Sequence, residues 1–170
     1  MAYILIDGYN LIGIAHNNLE KARNNLIQQL QRYSEIKGHN VTVVFDGWKE
    51  GQGTETKMHT GNITVIFSRL GEKADFVIKR ILSEGSRQWI VVSSDREIAD
   101  FADKKGSVSI TTQDFESKLQ SITHYDAESL RGEVPEKDDE DDYAVPAKQK
   151  GNPHKLSKKQ KQKLSALKKL

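Results

Sequence analysis

Short apolar runs rich in β-branched residues, separated by helical patterns, constrain this chain more than any other feature. Tyr3-Ile4-Leu5-Ile6, Val41-Thr42-Val43-Val44-Phe45, Ile63-Thr64-Val65-Ile66-Phe67 and Trp89-Ile90-Val91-Val92 are each long enough for one strand. All read as nearly continuous apolar runs, so both faces of each strand are expected to be covered. Between the first two, Leu19, Ala22, Leu26, Leu30 and Tyr33 recur at spacings of three and four, which predicts an amphipathic helix over 18–37 ended by Gly38. Ala74, Val77, Ile78, Ile81 and Leu82 form a second helical face, ended near Gly85. Ile98, Ala99, Phe101 and Ala102 fit a short helix before Gly106. Val108-Ser109-Ile110 reads as a last strand, and Thr112 as the cap of a helix through Leu119. Continuously apolar strands alternating with helices predict an α/β fold, a three-layer α/β/α sandwich around a mostly parallel sheet.

The chain has 170 residues, enough for one such domain and an appendage. It has no cysteine, which excludes disulfides, thiolate-bound zinc and thiol catalysis. No apolar run approaches the roughly 18 residues of a membrane span, so no membrane partner is expected. Met1-Ala2-Tyr3-Ile4-Leu5-Ile6-Asp7 lacks the features of a signal peptide, and a cytoplasmic protein is the simplest reading.

The net charge of +2 conceals an asymmetry. Residues 1–125 carry 15 basic and 15 acidic side chains, 126–142 carry nine acidic and two basic ones, and 147–170 carry nine lysines and no acid. The expected division is a folded α/β domain over 1–122, an acidic flexible linker over 123–146 and a basic tail over 147–170. Ser157 can cap a helix in that tail with Leu164, Leu167 and Leu170 on one side. Alone in water so short a helix is marginal, and it is expected to order only on a partner.

Three aspartates share one structural address. Asp7, Asp46 and Asp95 follow the first, second and fourth apolar runs, and Asp75 opens the second helix. In an open parallel sheet the carboxyl ends of the strands lie on one edge, where such folds place their ligands. A single Asp after a strand is more often a turn former or helix cap. Three at equivalent strand ends are expected to converge, Asp75 can face the same edge, and their repulsion calls for a cation. Oxygen donors without Cys or a His cluster suit Mg2+ or Mn2+, which can activate water and stabilise a phosphodiester during displacement. In Asp7-Gly8-Tyr9-Asn10, Gly8 allows close backbone approach and Asn10 offers an amide to orient an acid, a water or a phosphate, or to cap a turn.

Asp7-Gly8-Tyr9-Asn10-Leu11-Ile12, Val43-Val44-Phe45-Asp46-Gly47, Gly71-Glu72-Lys73-Ala74-Asp75 and Val92-Ser93-Ser94-Asp95-Arg96-Glu97 resemble, in that order, the motifs of YacP-like NYN-domain proteins of the PIN-like nuclease superfamily. The resemblance covers roughly residues 1–120. It implies a PIN-like fold, metal-dependent endoribonuclease activity and a link to translation, since a characterised branch of the family acts on messenger RNA at the ribosome. It implies that Asp7, Asp46, Asp75 and Asp95 are metal-site residues, that Asn10 supports Asp7, and that Glu72 and Glu97 are outer-shell candidates. Two positions depart from the family pattern: Phe76 follows the Ala-Asp pair, where an acidic or small polar residue is common, and Ser68-Arg69-Leu70 stands where the family is usually Thr-rich.

Residues 47–62 read as a long glycine-rich loop on the same edge. There Trp48 can stack on a base or tuck into the body, and Lys49, Lys57 and His59 can meet phosphates or stay solvated. Arg69, Lys73 and Arg96 are further phosphate candidates, and Lys158, Lys159, Lys161 and Lys163 of the tail can neutralise phosphates without reading sequence. A solubilising tail is the plainer alternative. His16 reads as a surface or capping residue. The expected function is therefore a divalent-metal endoribonuclease cleaving single-stranded RNA, messenger RNA held at the ribosome. Its rival is a non-catalytic RNA- or ribosome-binding module on the same fold. A phosphatase of the haloacid dehalogenase type wants a second Asp two residues after the first, but Tyr9 stands there.

Overall fold

In the computed structural model the described residues are 1–13, 18–47, 53–85, 87–129 and 156–170, with side chains described up to 122 and again from 156. In chain order the elements are β1 (Tyr3–Asp7), α1 (Gly8–Ile12), α2 (Leu19–Lys37), β2 (Asn40–Phe45), β3 (Thr56–Thr60), β4 (Ile63–Phe67), α3 (Ala74–Glu84), β5 (Ile90–Val92), α4 (Arg96–Lys104), β6 (Val108–Ile110), α5 (Thr112–Ser129) and α6 (Lys158–Lys169).

The six strands form one sheet in the order β3-β4-β2-β1-β5-β6. All neighbours are parallel except the outermost pair, β3 with β4. Ile4, Ile6, Val43, Phe45 and Val65 face one layer, packed with Leu26, Leu30, Tyr33, Phe115 and Leu119 of α2 and α5. Leu5, Val44, Ile66 and Val91 face the other, against Val77, Ile78 and Leu82 of α3 and Ile98 and Ala102 of α4. This is the three-layer sandwich that the continuous apolar runs require, since each strand loses water from both faces.

The helix ends follow local chemistry. Asn18 caps α2, its Oδ1 accepting from the Lys21 N–H at 2.9 Å, and Gly38 closes it in the left-handed conformation at φ 64°. Ser157 and Gln160 form a reciprocal capping box at the start of α6.

Three features differ from the expectations. Residues 56–60, read as part of a loop, form the antiparallel edge strand β3. A strand exposed along most of its length needs no apolar alternation, because main-chain bonds to β4 hold it. Helix α5 continues to Ser129, past the expected end at 119 and the boundary at 122. The lysine-rich helix does not wait for a partner to order: α6 lies against the body, with Ala166 and Leu170 buried and Leu167 packed beside them. The Tyr33 hydroxyl donates to the Leu170 carbonyl at 3.3 Å, and His39 Nε2–H donates to the Lys169 carbonyl at 2.8 Å. Lys159 pairs with Asp103 and Lys163 with Asp114, at 2.5 and 2.7 Å. The body supplies what an isolated helix lacks: an apolar seat and acceptors for its charge.

Candidate active site

Asp7 is the last residue of β1 and the N-cap of α1. Its side chain is 7% exposed, and its Oδ1 accepts from the Asn10 N–H at 3.1 Å. Burial pushes its carboxyl from the ordinary 3.8 up to about 7, against that hydrogen bond, and the negative charges of Asp75, Asp46 and Asp95 push further in the same direction. All three acids expected to share the edge are thus felt by Asp7.

The chain passes from β1 directly into α1 at Gly8, where only a residue without a side chain fits. A Cβ at Gly8 would sit 2.3 Å from Cε1 of Phe45. That ring is itself fixed, stacked on Phe67 with centroids 5.7 Å apart and edge-on to Tyr9 at 5.3 Å. The close approach foreseen at Gly8 is therefore to an aromatic side chain of β2. Asn10 joins two strand ends: its backbone binds Asp7, and its Oδ1 accepts from the Ser94 N–H at 2.9 Å, 84 residues along the chain.

Asp46 follows β2 and is partly buried; its Oδ1 accepts from the backbone N–H of Ala74, the first residue of α3. Asp75, next in α3, is raised above the ordinary carboxylate value by burial and by Asp95 and Asp46, with Lys79 and Lys73 opposing. Asp95 caps α4, its Oδ1 accepting from the Glu97 N–H at 2.7 Å, while its own N–H donates to Ser93 Oγ at 3.1 Å. Capping and ion binding are not rivals here. The bonds at Asp7, Asp46 and Asp95 use Oδ1 and leave each second oxygen for another partner.

The donor set suits a hard divalent cation: four carboxylates, no sulfur, and mutual repulsion that a positive ion would relieve. Among the described residues, no three His, Asp or Glu stand close enough to hold one ion jointly. Mg2+ ordinarily keeps several waters and takes one or two carboxylates, so these residues could hold it without three of them closing on one ion.

The other expected site residues are distributed unevenly. Glu72 is engaged in an ion network with Arg69 at 3.4 Å and Arg80 at 3.3 Å, and Arg80 also holds Glu55 just before β3. Glu97 is 79% exposed and pairs with Lys79 at 3.1 Å. Lys73 lies close enough to Asp75 to lower its carboxyl, and Arg96 is exposed at the start of α4. Lys57 pairs with Glu55 at 3.1 Å, and His59 Nδ1 lies 2.9 Å from Thr64 Oγ1. Lys158 and Lys161 are exposed, whereas Lys159 and Lys163 meet acids of the body. Trp48, Lys49 and His16 lie outside the described residues.

Ser68 is a positioning residue that the sequence reading missed. Buried after β4, its Oγ accepts from the Gly47 N–H at 2.9 Å and donates to the Glu72 carbonyl at 2.5 Å. It fastens the turn beside Asp46 to the turn before Asp75. A serine after a strand carries no signal by itself; its role depends on two segments meeting in space.

The family model of the YacP-like NYN domain matches residues 4–169. Over 105 residues the chain is 35% identical to the uncharacterized protein YacP of Bacillus subtilis (strain 168), covering 56% of this chain and 61% of that protein. It thus spans less than two thirds of that relative. Two crystal structures of Rae1 (YacP) from Bacillus subtilis, one of a mutant form, match with a TM-score of 0.62, at 26% and 28% identity. They cover 78% of this chain and 83% and 81% of theirs.

Proposed function

The chain belongs to the YacP-like NYN domain family, and from that premise we propose that it is a divalent-metal-dependent endoribonuclease. Its substrate on this reading is single-stranded RNA, specifically messenger RNA in association with the ribosome, in the cytoplasm. The observation that supports the proposal is that Asp46, Asp75 and Asp95 all lie near enough to the buried Asp7 to add their charge to the effect of burial, which is the larger cause of its raised carboxyl. A module that only binds nucleic acid gains nothing from four acids facing a polyanion.

One or two of these carboxylates, with the others reaching through water, would hold Mg2+ or Mn2+. When bound, such an ion supplies an activated water and neutralises charge on the phosphodiester. Asn10 and Ser94 keep the ends of β1 and β5 in register, so that Asp7 and Asp95 are presented together. Lys73 lies near Asp75 and Arg96 follows Asp95, while Arg69 lines the cleft before α3; the three can hold backbone phosphates. The body through α5 together with the docked α6 forms the nuclease unit on this reading, the acid-rich stretch between them joins the two, and the exposed lysines of 147–170 contribute to RNA or ribosome binding.

The test is cleavage of a single-stranded RNA by pure protein with Mn2+, Mg2+ or excess EDTA, alongside Asp95→Asn. Metal-dependent cleavage that the variant lacks is expected. Undiminished cleavage in EDTA would refute the metal role. Tight RNA binding with no cleavage under any metal would favour the non-catalytic module.

A further inference from the structure

Among the large apolar side chains that remain exposed in the described residues, two border the same cleft beside the acidic edge: Phe76, 62% exposed, and Leu70, 60% exposed. The cleft measures about 380 Å³ and is lined by Arg69, Leu70, Gly71, Glu72 and Phe76. Phe76 is the one aromatic among those exposed side chains, and it directly follows Asp75 in the first turn of α3. Neighbouring residues on a helix are about 100° apart, so the ring leaves α3 in a different direction from the adjacent Asp75 carboxylate, toward the cleft.

The cleft is built rather than loose. Gly71 turns the chain at φ 81°, the Glu72 N–H donates to the Arg69 carbonyl at 3.0 Å, and Ser68 Oγ donates to the Glu72 carbonyl at 2.5 Å. Glu72 is held from both sides by Arg69 and Arg80, so the acid in the wall is already neutralised. What the cleft offers outward is an aromatic face, an aliphatic edge and the Arg69 guanidinium.

We propose that Phe76 is a stacking platform for an unpaired base of the RNA, next to the phosphate that the aspartates address, with Arg69 on that nucleotide's phosphate. The assignment rests on the nuclease reading and deepens it by naming what selects single strands. A ring this exposed beside a polyanion-processing edge matches how unpaired bases are held, stacked on aromatic faces with a cation on the backbone. A base in a duplex cannot offer its face, so the platform excludes paired RNA at this position.

The experiment compares wild type with Phe76→Ala, Phe76→Leu and Phe76→Trp. It measures affinity for a fluorescent single-stranded oligoribonucleotide in EDTA, and KM and kcat with Mn2+. The ring is exposed, so all three variants are expected to fold. Phe76→Ala and Phe76→Leu should weaken binding roughly 5- to 100-fold, as loss of one base stack does, and raise KM with little change in kcat. Phe76→Trp should bind at least as tightly as wild type, and duplex RNA should be unaffected by any of them. If Phe76→Ala binds and cleaves like wild type, stacking is refuted and the nuclease reading stands. If wild type never cleaves but Phe76→Ala still loses RNA affinity, stacking stands and the nuclease reading fails. Unchanged RNA affinity with lost ribosome co-sedimentation would assign the ring to a protein surface and refute the proposal.

Discussion

Asp7→Asn should make the metal-free protein more stable, and more so as pH rises. The carboxyl is buried among three other acids and is pushed from 3.8 to about 7. Between those values the folded protein holds a proton that the unfolded chain has released, so stability falls as pH rises through the interval. At about 1.4 kcal/mol per pH decade, the full penalty above pH 7 is about 4 kcal/mol. The amide of Asn has no such titration, and its oxygen can still accept from the Asn10 N–H. In excess EDTA, equilibrium urea unfolding from pH 4 to pH 8.5 should show the two proteins nearly equal at the acid end. The variant should pull ahead steadily and reach its full advantage near pH 8. Adding Mn2+ should reverse the order, because wild type gains the ion and the variant loses a ligand. A stability difference that is flat across pH, or a variant less stable than wild type at pH 8 in EDTA, would refute the electrostatic account of this edge.

Two further outcomes follow from the packing. Gly8→Ala forces a methyl group to 2.3 Å from the Phe45 ring; it should cost about 1–3 kcal/mol by overpacking and impair cleavage by displacing Asp7, with Phe45→Leu restoring part of the stability in a double-mutant cycle. Deleting residues 147–170 should destabilise the domain by about 3 kcal/mol or more, seen as a lower urea midpoint, because the seat of Leu170 is uncovered and the Tyr33 and His39 donors lose their carbonyls. Lys158→Ala with Lys161→Ala leaves that docking intact, and the salt slope of single-strand RNA binding should flatten by about 1.4 if both lysines meet phosphates.

The parts of the fold that were legible are those whose formation depends on burial. The strands at Ile4, Val43, Val65 and Val91 and the helical faces of Leu26, Val77 and Ile98 announce themselves because each must be apolar to be covered. Strand β3 was not legible: Thr56-Lys57-Met58-His59-Thr60 is largely exposed and polar, and its reason for being a strand is the free edge of β4. Helix α1 has five residues, too few for a period. The leucine stripe of α6 could be read, but its seat could not, because that is assembled from Tyr33, His39 and β6. The same division holds at the site. Topology alone places Asp7, Asp46 and Asp95 on one edge. The engagement of Glu72 by Arg80, and the clamp at Ser68, arise from segments that meet only in space.

The seating of α6 also bears on the order in which the molecule assembles. Its anchoring hydrogen bonds join residues 137 and 130 positions apart. Loop-closure entropy grows only slowly with length, so such a distance weighs more on when the contact forms than on how strong it is. The strand pairs β1–β2 and β2–β4 can be completed without α6, whereas α6 has nothing to land on until Tyr33 and His39 are in place. Docking of this helix is therefore expected late, as a cooperative unit of its own. In native-state hydrogen exchange, the amides of α6 should open with a smaller free energy than those of Ile4 to Ile6, releasing the C-terminal helix while the sheet and its row of aspartates remain folded.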